Sequence, residues 1–189
     1  MRTPDRTVLT GTTVRLEPLG EEHVDDLLLA ARDERIWAHT GPQPRTREAV
    51  LAYREQPGRY PYAVVVDGRA LGSTSYGDVN LAVEGLEIGW TWYSPAVWQT
   101  RVNPECKLLL LGHAFDQLGA QRVTLKTDAL NARSRAAIAK LGARYEGTLR
   151  HHQQRPDGSV RDSAFFSLLA PEWPAAKATL LDRTSGSTT

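Results

Sequence analysis

The spacing of apolar and polar positions divides the first third of the chain into one strand and two helices. Residues 13–19 alternate loosely between apolar and polar side chains, which predicts a strand. Residues 21–36 begin with acidic side chains and carry apolar residues on one face, which predicts a helix. The stretch 38–46 contains two prolines and a glycine and is predicted as a loop. A second short helix over 47–56 ends at Pro57-Gly58.

The rest of the chain predicts a run of strands followed by alternating helices and strands. In chain order these are a hairpin over 62–77 that turns at Asp67-Gly68, a strand over 86–94, a helix over 104–118, a strand over 121–128, a helix over 131–143 capped by Asn131, and two strands over 143–169 around a turn at 156–158. Two strand-to-helix units therefore lie in the middle of a mixed α/β domain. Such turns are where open sheets bind anionic ligands.

Length and composition restrict the class of protein. A chain of 189 residues fits one domain, predicted over 12–181 after an N-terminal extension (1–11) and before a flexible tail (182–189). The net charge of +1 gives no general attraction to nucleic acid or to anionic membranes. Cys106 is the single cysteine, which excludes an intramolecular disulfide framework and cysteine-based zinc modules. No metal site, no membrane segment and a cytoplasmic location are expected.

Three local sequences resemble the GNAT superfamily of acyl-CoA-dependent N-acyltransferases, and in particular the RimJ/RimL type of ribosomal-protein N-terminal acetyltransferase. They are LEIGWTWYSPAVW (86–98), WQTRVNPECK (98–107) and DALNARSRAAIAKLGARYEG (128–147). The resemblance covers roughly 12–170. It implies a mixed, splayed sheet of about seven strands flanked by helices, and acetyl-CoA as the co-substrate.

The resemblance also implies where coenzyme A would bind. The pantetheine arm would insert beside the backbone of Trp92, Tyr93 and Ser94, between two strands that separate. The pyrophosphate would meet the amides of the segment that follows, where a helix begins and anions are favoured. The residues of that segment are Gln99, Thr100, Arg101, Val102 and Asn103.

This segment departs from the glycine-rich pattern of the family. Arg101 stands where the central glycine is usual, Asn103 stands where the last glycine or alanine is usual, and Pro104 removes one amide donor. Either Arg101 replaces the lost amide contacts with a guanidinium on phosphate, which we favour, or the segment no longer holds coenzyme A well.

Candidate catalytic residues come with structural alternatives. Glu87 would act as general base through water, or it is a strand carboxylate that faces solvent or pairs with an arginine. Ser134 would protonate the departing thiolate, or it is a helix hydroxyl that bonds to backbone. Asn131 would contact the pantetheine arm, cap its helix, or do both. Tyr93 is a weaker catalytic candidate beside Trp98, and Cys106 fits a core position better than a nucleophile.

These observations predict an N-acetyltransferase whose acceptor is a primary amine, either a protein N-terminus or a small molecule. The loops 37–46 and 150–158, where acceptor choice would lie, contain no acidic cluster, which favours a neutral or acidic acceptor. The alternative is a degenerate GNAT-like module that binds or senses acyl-CoA without transferring the acyl group. Members of this branch are often homodimers, so the resemblance implies the same here.

Overall fold

The computed structural model describes residues 1–155 and 157–185, and within them it forms one mixed sheet of eight strands flanked by five helices. The strands are β1 (Leu9–Thr10), β2 (Val14–Pro18), β3 (Tyr60–Val66), β4 (Arg69–Asn80), β5 (Gly85–Tyr93), β6 (Arg122–Asp128), β7 (Arg144–Gln154) and β8 (Val160–Leu169). The helices are α1 (Val24–Ala30), α2 (Arg47–Glu55), α3 (Val102–Gly112), α4 (Ala132–Ala139) and α5 (Trp173–Ser185). The predicted fold class is confirmed.

The strand order is β1-β2-β3-β4-β5-β6-β8-β7, and within the described residues the β5–β6 pair alone is parallel. This pair is short, because the two strands are in register only from Gly85 opposite Arg122 to Glu87 opposite Thr124. Beyond that point β5 continues beside β4 and β6 continues beside β8. The sheet therefore opens into a V between residues 88–93 and 125–128.

Helices cover both faces of the sheet. On one face Leu86, Ile88 and Val123 pack with α3 and α5 in the larger core cluster. On the other face Val65 and Trp92 pack with α1 and α2 in a smaller cluster. Because side chains alternate along a strand, Glu87 lies on the α1–α2 face of the sheet. Within the part of the chain that the structure describes, no helix has the length and apolar character needed to cross a membrane.

Several predicted elements change in detail. The helix expected over 21–36 is reduced to α1, with single 3₁₀ turns before and after it (Glu21–His23 and Glu34–Ile36). The helix expected from 104 already begins at Val102, and after Gly112 it continues as one π-helical turn. An eighth strand arises because β1, which lies in the segment 1–11 that was expected to be an extension, pairs with β2.

The sequence analysis missed α5 entirely. Its buried side chains Trp173, Ala176 and Leu180 recur at three- and four-residue spacing, which is a helical signal. The helix runs to Ser185, so the tail expected from 182 is helical in its first part. Residues 186–189 lie outside the described residues, as does Pro156 in the predicted turn.

A buried carboxylate ties the start of the sheet to α3. Glu105 is only 4% exposed, and its carboxylate accepts the backbone N–H groups of Thr12 and Thr13, the latter at 2.9 Å. These amides form the β1–β2 turn, so one side chain fixes the outer strands against the helix whose N-terminus borders the V.

We expect Glu105→Ala to lower the free energy of unfolding by about 2 kcal/mol, because two backbone donors lose their acceptor. Urea denaturation followed by circular dichroism measures this change. The matched control is Glu55→Ala on the exposed side of α2, which should change stability by less than about 0.5 kcal/mol. Equal losses in the two variants would contradict the anchoring role of Glu105.

Candidate active site

The V between β5 and β6 forms a cleft of about 750 Å³. One end, the helix end, is bounded by residues 97–104 and by α4. The other end, the loop end, lies between residues 38–42 and the β7–β8 connection. The structure brings together most of the sequence-predicted site residues along this cleft, namely Glu87, Trp92, Tyr93, Gln99, Thr100, Asn103, Asn131 and Ser134. Three predicted residues, Ser94, Arg101 and Val102, lie outside its lining.

A β-bulge shapes the β5 wall of the cleft. Ser75 pairs with Gly89 and Ser73 pairs with Trp92, so β5 contains one residue more than β4 over this interval. Trp90 takes the left-handed conformation at the bulge, with φ of 52°. Bulges of this kind interrupt the ladder and redirect backbone groups. Part of the β5 edge therefore faces the cleft rather than a neighbouring strand.

Hydrogen bonds to Tyr93 and to β4 hold the segment that follows β5 in place. The indole N–H of Trp98 donates to the carbonyl oxygen of Tyr93 at 2.9 Å, and the amide of Ser94 donates to the carbonyl of Leu71 at 2.7 Å. The backbone N–H of Ser94 therefore points to β4, away from the cleft. This arrangement fixes the connection between the open strand edge and the start of α3.

The glycine-poor segment before α3 carries little backbone strain. Arg101 has φ of −68° and Asn103 lies within the first turn of α3, so neither position needs a glycine conformation. The left-handed residue is Gln99, with φ of 61°. Pro104 occupies the third helical position, where an N–H would have no acceptor within the helix. The helix N-terminus thus retains the geometry that favours an anion.

The first turn of α4 faces this N-terminus across the helix end. The side chain of Asn131 caps α4 by accepting the N–H of Ser134 at 2.9 Å, as predicted. Ser134 is half-buried at the cleft wall. The guanidinium of Arg133 lies 4.2 Å from the ring centre of Trp98, which connects α4 to the segment before α3.

Glu87 lies on the floor of the cleft and is 2% exposed. It neither faces solvent nor pairs with an arginine, because its Oε2 lies 2.7 Å from the ammonium of Lys126. Lys126 also lies 3.2 Å from a carboxylate oxygen of Asp78. Burial raises the pKa of Glu87 to about 7, and Lys126 opposes that rise while Asp78 adds to it. The carboxyl group can therefore take up or release a proton near neutral pH.

Lys107 is a cleft residue that the sequence analysis missed. It is 6% exposed, and its ammonium donates to the hydroxyl of Thr91 at 3.3 Å, beside the β5 bulge. Burial lowers the pKa of Lys107 to about 8. Its position on the apolar stripe of α3, in line with Leu110 and Leu111, was the available signal.

Tyr93 and Cys106 lie next to Lys107, and both stay protonated at neutral pH. Burial raises the pKa of the Cys106 thiol to about 12, which keeps it neutral and agrees with a core role. Burial also raises the pKa of Tyr93 well above its usual range. The Tyr93 hydroxyl donates to the side chain of Asn103 at 3.1 Å, so it serves first to hold the start of α3.

The loop end is built around a second buried carboxylate, which the sequence analysis also missed. Asp128 is fully buried at the end of β6 and pairs with Arg155, whose Nε lies 2.6 Å from Oδ2. The ring of His39 lies 3.8 Å from the same carboxylate. Asp128 thus connects the 38–42 loop to the β7–β8 connection. No local sequence signal marks this contact, because its partners are distant along the chain.

Comparison with known proteins agrees with this geometry. A model described as the acetyltransferase (GNAT) domain matches residues 13–144, so the chain belongs to the GNAT acetyltransferase family. A solved structure assigned as an acetyltransferase is 36% identical, with a TM-score of 0.89 and coverage of 99% of this chain and 98% of the other. No curated protein sequence matches the chain.

Two further solved structures are similar. A GCN5-related N-acetyltransferase from Brucella melitensis is 29% identical, with a TM-score of 0.90 and coverage of 95% of this chain and 86% of the other. RimJ from Mycobacterium smegmatis, solved in complex with CoA-disulfide, is 21% identical, with a TM-score of 0.81 and coverage of 96% of both chains. At this identity RimJ supports the fold alone.

We expect the Glu87 carboxyl to titrate with a midpoint near pH 7, followed by ¹³C NMR of glutamate-labelled protein. Lys126→Met should raise the midpoint, because the ammonium favours the charged carboxylate. Asp78→Asn should lower it, because a repelling carboxylate is removed. Shifts of the same sign in the two variants would contradict this electrostatic assignment.

Proposed function

We propose that the protein transfers an acetyl group from acetyl-CoA to a primary amine, by direct attack within a ternary complex. The observation that carries the proposal is the open V between β5 and β6, with Glu87 on its floor and the N-terminus of α3 at its helix end. Membership of the GNAT family supports acyl transfer of this kind.

The cleft fits an extended thioester co-substrate with an anionic end. Unpaired strand edges can hydrogen-bond an inserted amide-containing arm as if it were another strand. Phosphate groups are favoured at the helix end, where the positive end of the α3 dipole and the guanidinium of Arg133, which stacks on Trp98, both attract negative charge. Trp92, Tyr93, Gln99, Thr100, Asn103, Asn131 and Ser134 would form this half of the site.

The chemistry requires an amine in its neutral form. An α-amino group with a pKa of about 8 is partly neutral at pH 7, whereas a lysine amine of about 10.4 is not. Attack forms the C–N bond and breaks the C–S bond of the thioester. Glu87 would accept the amine proton, directly or through water, and Ser134 would donate a proton to the departing thiolate.

Lys107 supplies positive charge on the opposite side of β5 from Glu87. Its ammonium lies under the bulge at Thr91, where negative charge would develop on the thioester oxygen or sulfur. A cation held there by burial needs no rearrangement during the reaction, which is the condition for electrostatic stabilisation. We therefore add Lys107 to the proposed catalytic groups, and we keep Tyr93 as a positioning residue through its bond to Asn103.

We expect acetyl-CoA and free coenzyme A to bind with micromolar dissociation constants in calorimetric titrations. If Arg101 contacts a phosphate, Arg101→Gly should weaken binding about tenfold, because one charge-assisted contact is lost. If Arg101 instead obstructs a degenerate segment, the same change should tighten binding. No binding at millimolar acetyl-CoA would overturn the transferase proposal in favour of a module without transferase activity.

We expect kcat/KM to rise with pH through about 7, because Glu87 acts only after it loses its proton. Glu87→Gln should remove this limb of the profile and lower kcat about 100-fold or more. A second rising limb near pH 8, from the acceptor amine itself, should remain, and loss of the Lys107 proton at about pH 8 should oppose it. Glu55→Gln is the matched control and should leave both limbs unchanged; an unaltered profile in Glu87→Gln would exclude Glu87 as the base.

A further inference from the structure

The loop end of the cleft contains basic side chains that differ in how they are neutralised. Lys126 pairs with Glu87 and Asp78, and Arg155 pairs with Asp128. Across residues 1–155 and 157–185, by contrast, Arg161 forms no salt bridge, although it lines the cleft beside these pairs. Arg59 and Arg133 also line the cleft without a salt bridge, but each stacks on an aromatic ring; Arg161 differs because its Nε has no hydrogen-bond partner among the described residues.

The position of Arg161 follows from the register of β8. Ala164 and Phe166 pack into the core on the α3 face, so Arg161 and Phe165 lie on the opposite face, which is also the face of Glu87. The last residue of β6, Asp128, pairs with Ser163, so Arg161 stands just past the end of β6. Its guanidinium is therefore directed over the loop end rather than into solvent.

Unpartnered polar atoms also occur along the cleft lining. Among the described residues, two buried donor atoms on the cleft lining have neither a hydrogen-bond partner nor a salt bridge: Trp92 Nε1 and Arg161 Nε. Buried polar groups are normally paired, so an unpaired donor is a position where a ligand or a water molecule can bind. Trp92 Nε1 and Arg161 Nε can only donate, so the ligand must supply acceptor oxygens.

We propose that Arg161 binds a carboxylate of the acceptor, so that the substrate is a carboxylate-bearing primary amine of the amino acid type. This inference rests on the acetyl transfer proposed above. The guanidinium fork matches a carboxylate in a two-point contact, and the free Nε is one of its donors. The amine of the same molecule would then lie toward Glu87, the acidic side chain that lines the cleft, where its proton must be removed.

The electrostatic surroundings agree with this orientation. The pKa of Arg161 is lowered by burial and raised by the nearby charges of Asp128 and Glu87, so the three groups act on one another. Arg155 repels Arg161 and lowers its pKa further, so an added carboxylate would favour the charged guanidinium. A protein N-terminus provides a carboxylate near its amine only when its side chain is acidic, whereas every free amino acid provides one.

The first experiment measures binding without the co-substrate. Each of the twenty common L-amino acids and its α-amide is titrated into the protein by calorimetry; this set ends with L-aspartic acid α-amide and L-asparagine amide, which differ in the side-chain carboxylate. At least one acid should bind about 10- to 100-fold more tightly than its amide, as expected for a charge-assisted hydrogen bond. If only L-aspartic acid α-amide binds more tightly than L-asparagine amide, the carboxylate that Arg161 contacts belongs to an acidic side chain of the acceptor. Equal binding of acids and amides, or no binding of any probe, would overturn the proposal.

The second experiment tests the residue. Arg161→Gln should raise KM for the preferred acid about 10- to 100-fold, while KM for acetyl-CoA and the activity on the matching amide stay unchanged. Arg161→Lys should recover part of the loss, because it restores the charge without the fork. Arg32→Gln, at an exposed position just after α1 and outside the cleft lining, makes the same charge change and should have no effect.

The outcomes separate the two proposals. An equal loss on acid and amide in Arg161→Gln would indicate a structural role and overturn the carboxylate contact. Binding of acetyl-CoA with no acetylation of any probe would overturn the acceptor class and leave the co-substrate proposal standing. Tight, Arg161-dependent binding of an acid with no binding of acetyl-CoA would support the carboxylate site and contradict the transferase.

Discussion

The short parallel pairing between β5 and β6 is the constraint on which the rest of the site depends. Three residue pairs join these strands, and each then follows a different antiparallel neighbour. An open strand edge is normally a liability, because it invites association with other chains. Here both edges face each other inside the molecule, under α4 and the start of α3. The V is therefore protected from other chains while it stays open to an extended ligand.

Burial shifts two ionisable groups toward neutral pH from opposite directions. Glu87, on the α1–α2 face, has its pKa raised to about 7, and Lys107, on the α3 face, has its pKa lowered to about 8. Both shifts have desolvation as their largest cause, because each charge has lost water on one side of β5. The bulge at Trp90 lies between them along the strand. The result is a strand with a proton acceptor on one face and a cation on the other.

The scaffold holds these groups through contacts between distant segments. Glu105 fixes the β1–β2 turn to α3, Tyr93 bonds to Asn103, and Asp128 joins two loops at the far end of the cleft. The segment before α3 lacks the usual glycines but needs left-handed backbone only at Gln99. Its departure from the family pattern therefore alters side chains presented to a ligand more than it alters backbone shape.

The sequence by itself determined the α/β class, most element positions, the family and the strand that carries Glu87, because these depend on local periodicity and on short motifs. The helical spacing of Trp173, Ala176 and Leu180 in α5 is present in the sequence although it was not predicted, whereas the break-up of the 21–36 helix is not readable there. Only the tertiary structure decided that Lys107 and Arg161 line the cleft and that Asp128 lies buried beside it. Their neighbours lie on other strands and helices. Burial shifts the pKa of these groups, and Arg161 has no carboxylate partner; both are properties of the packed chain.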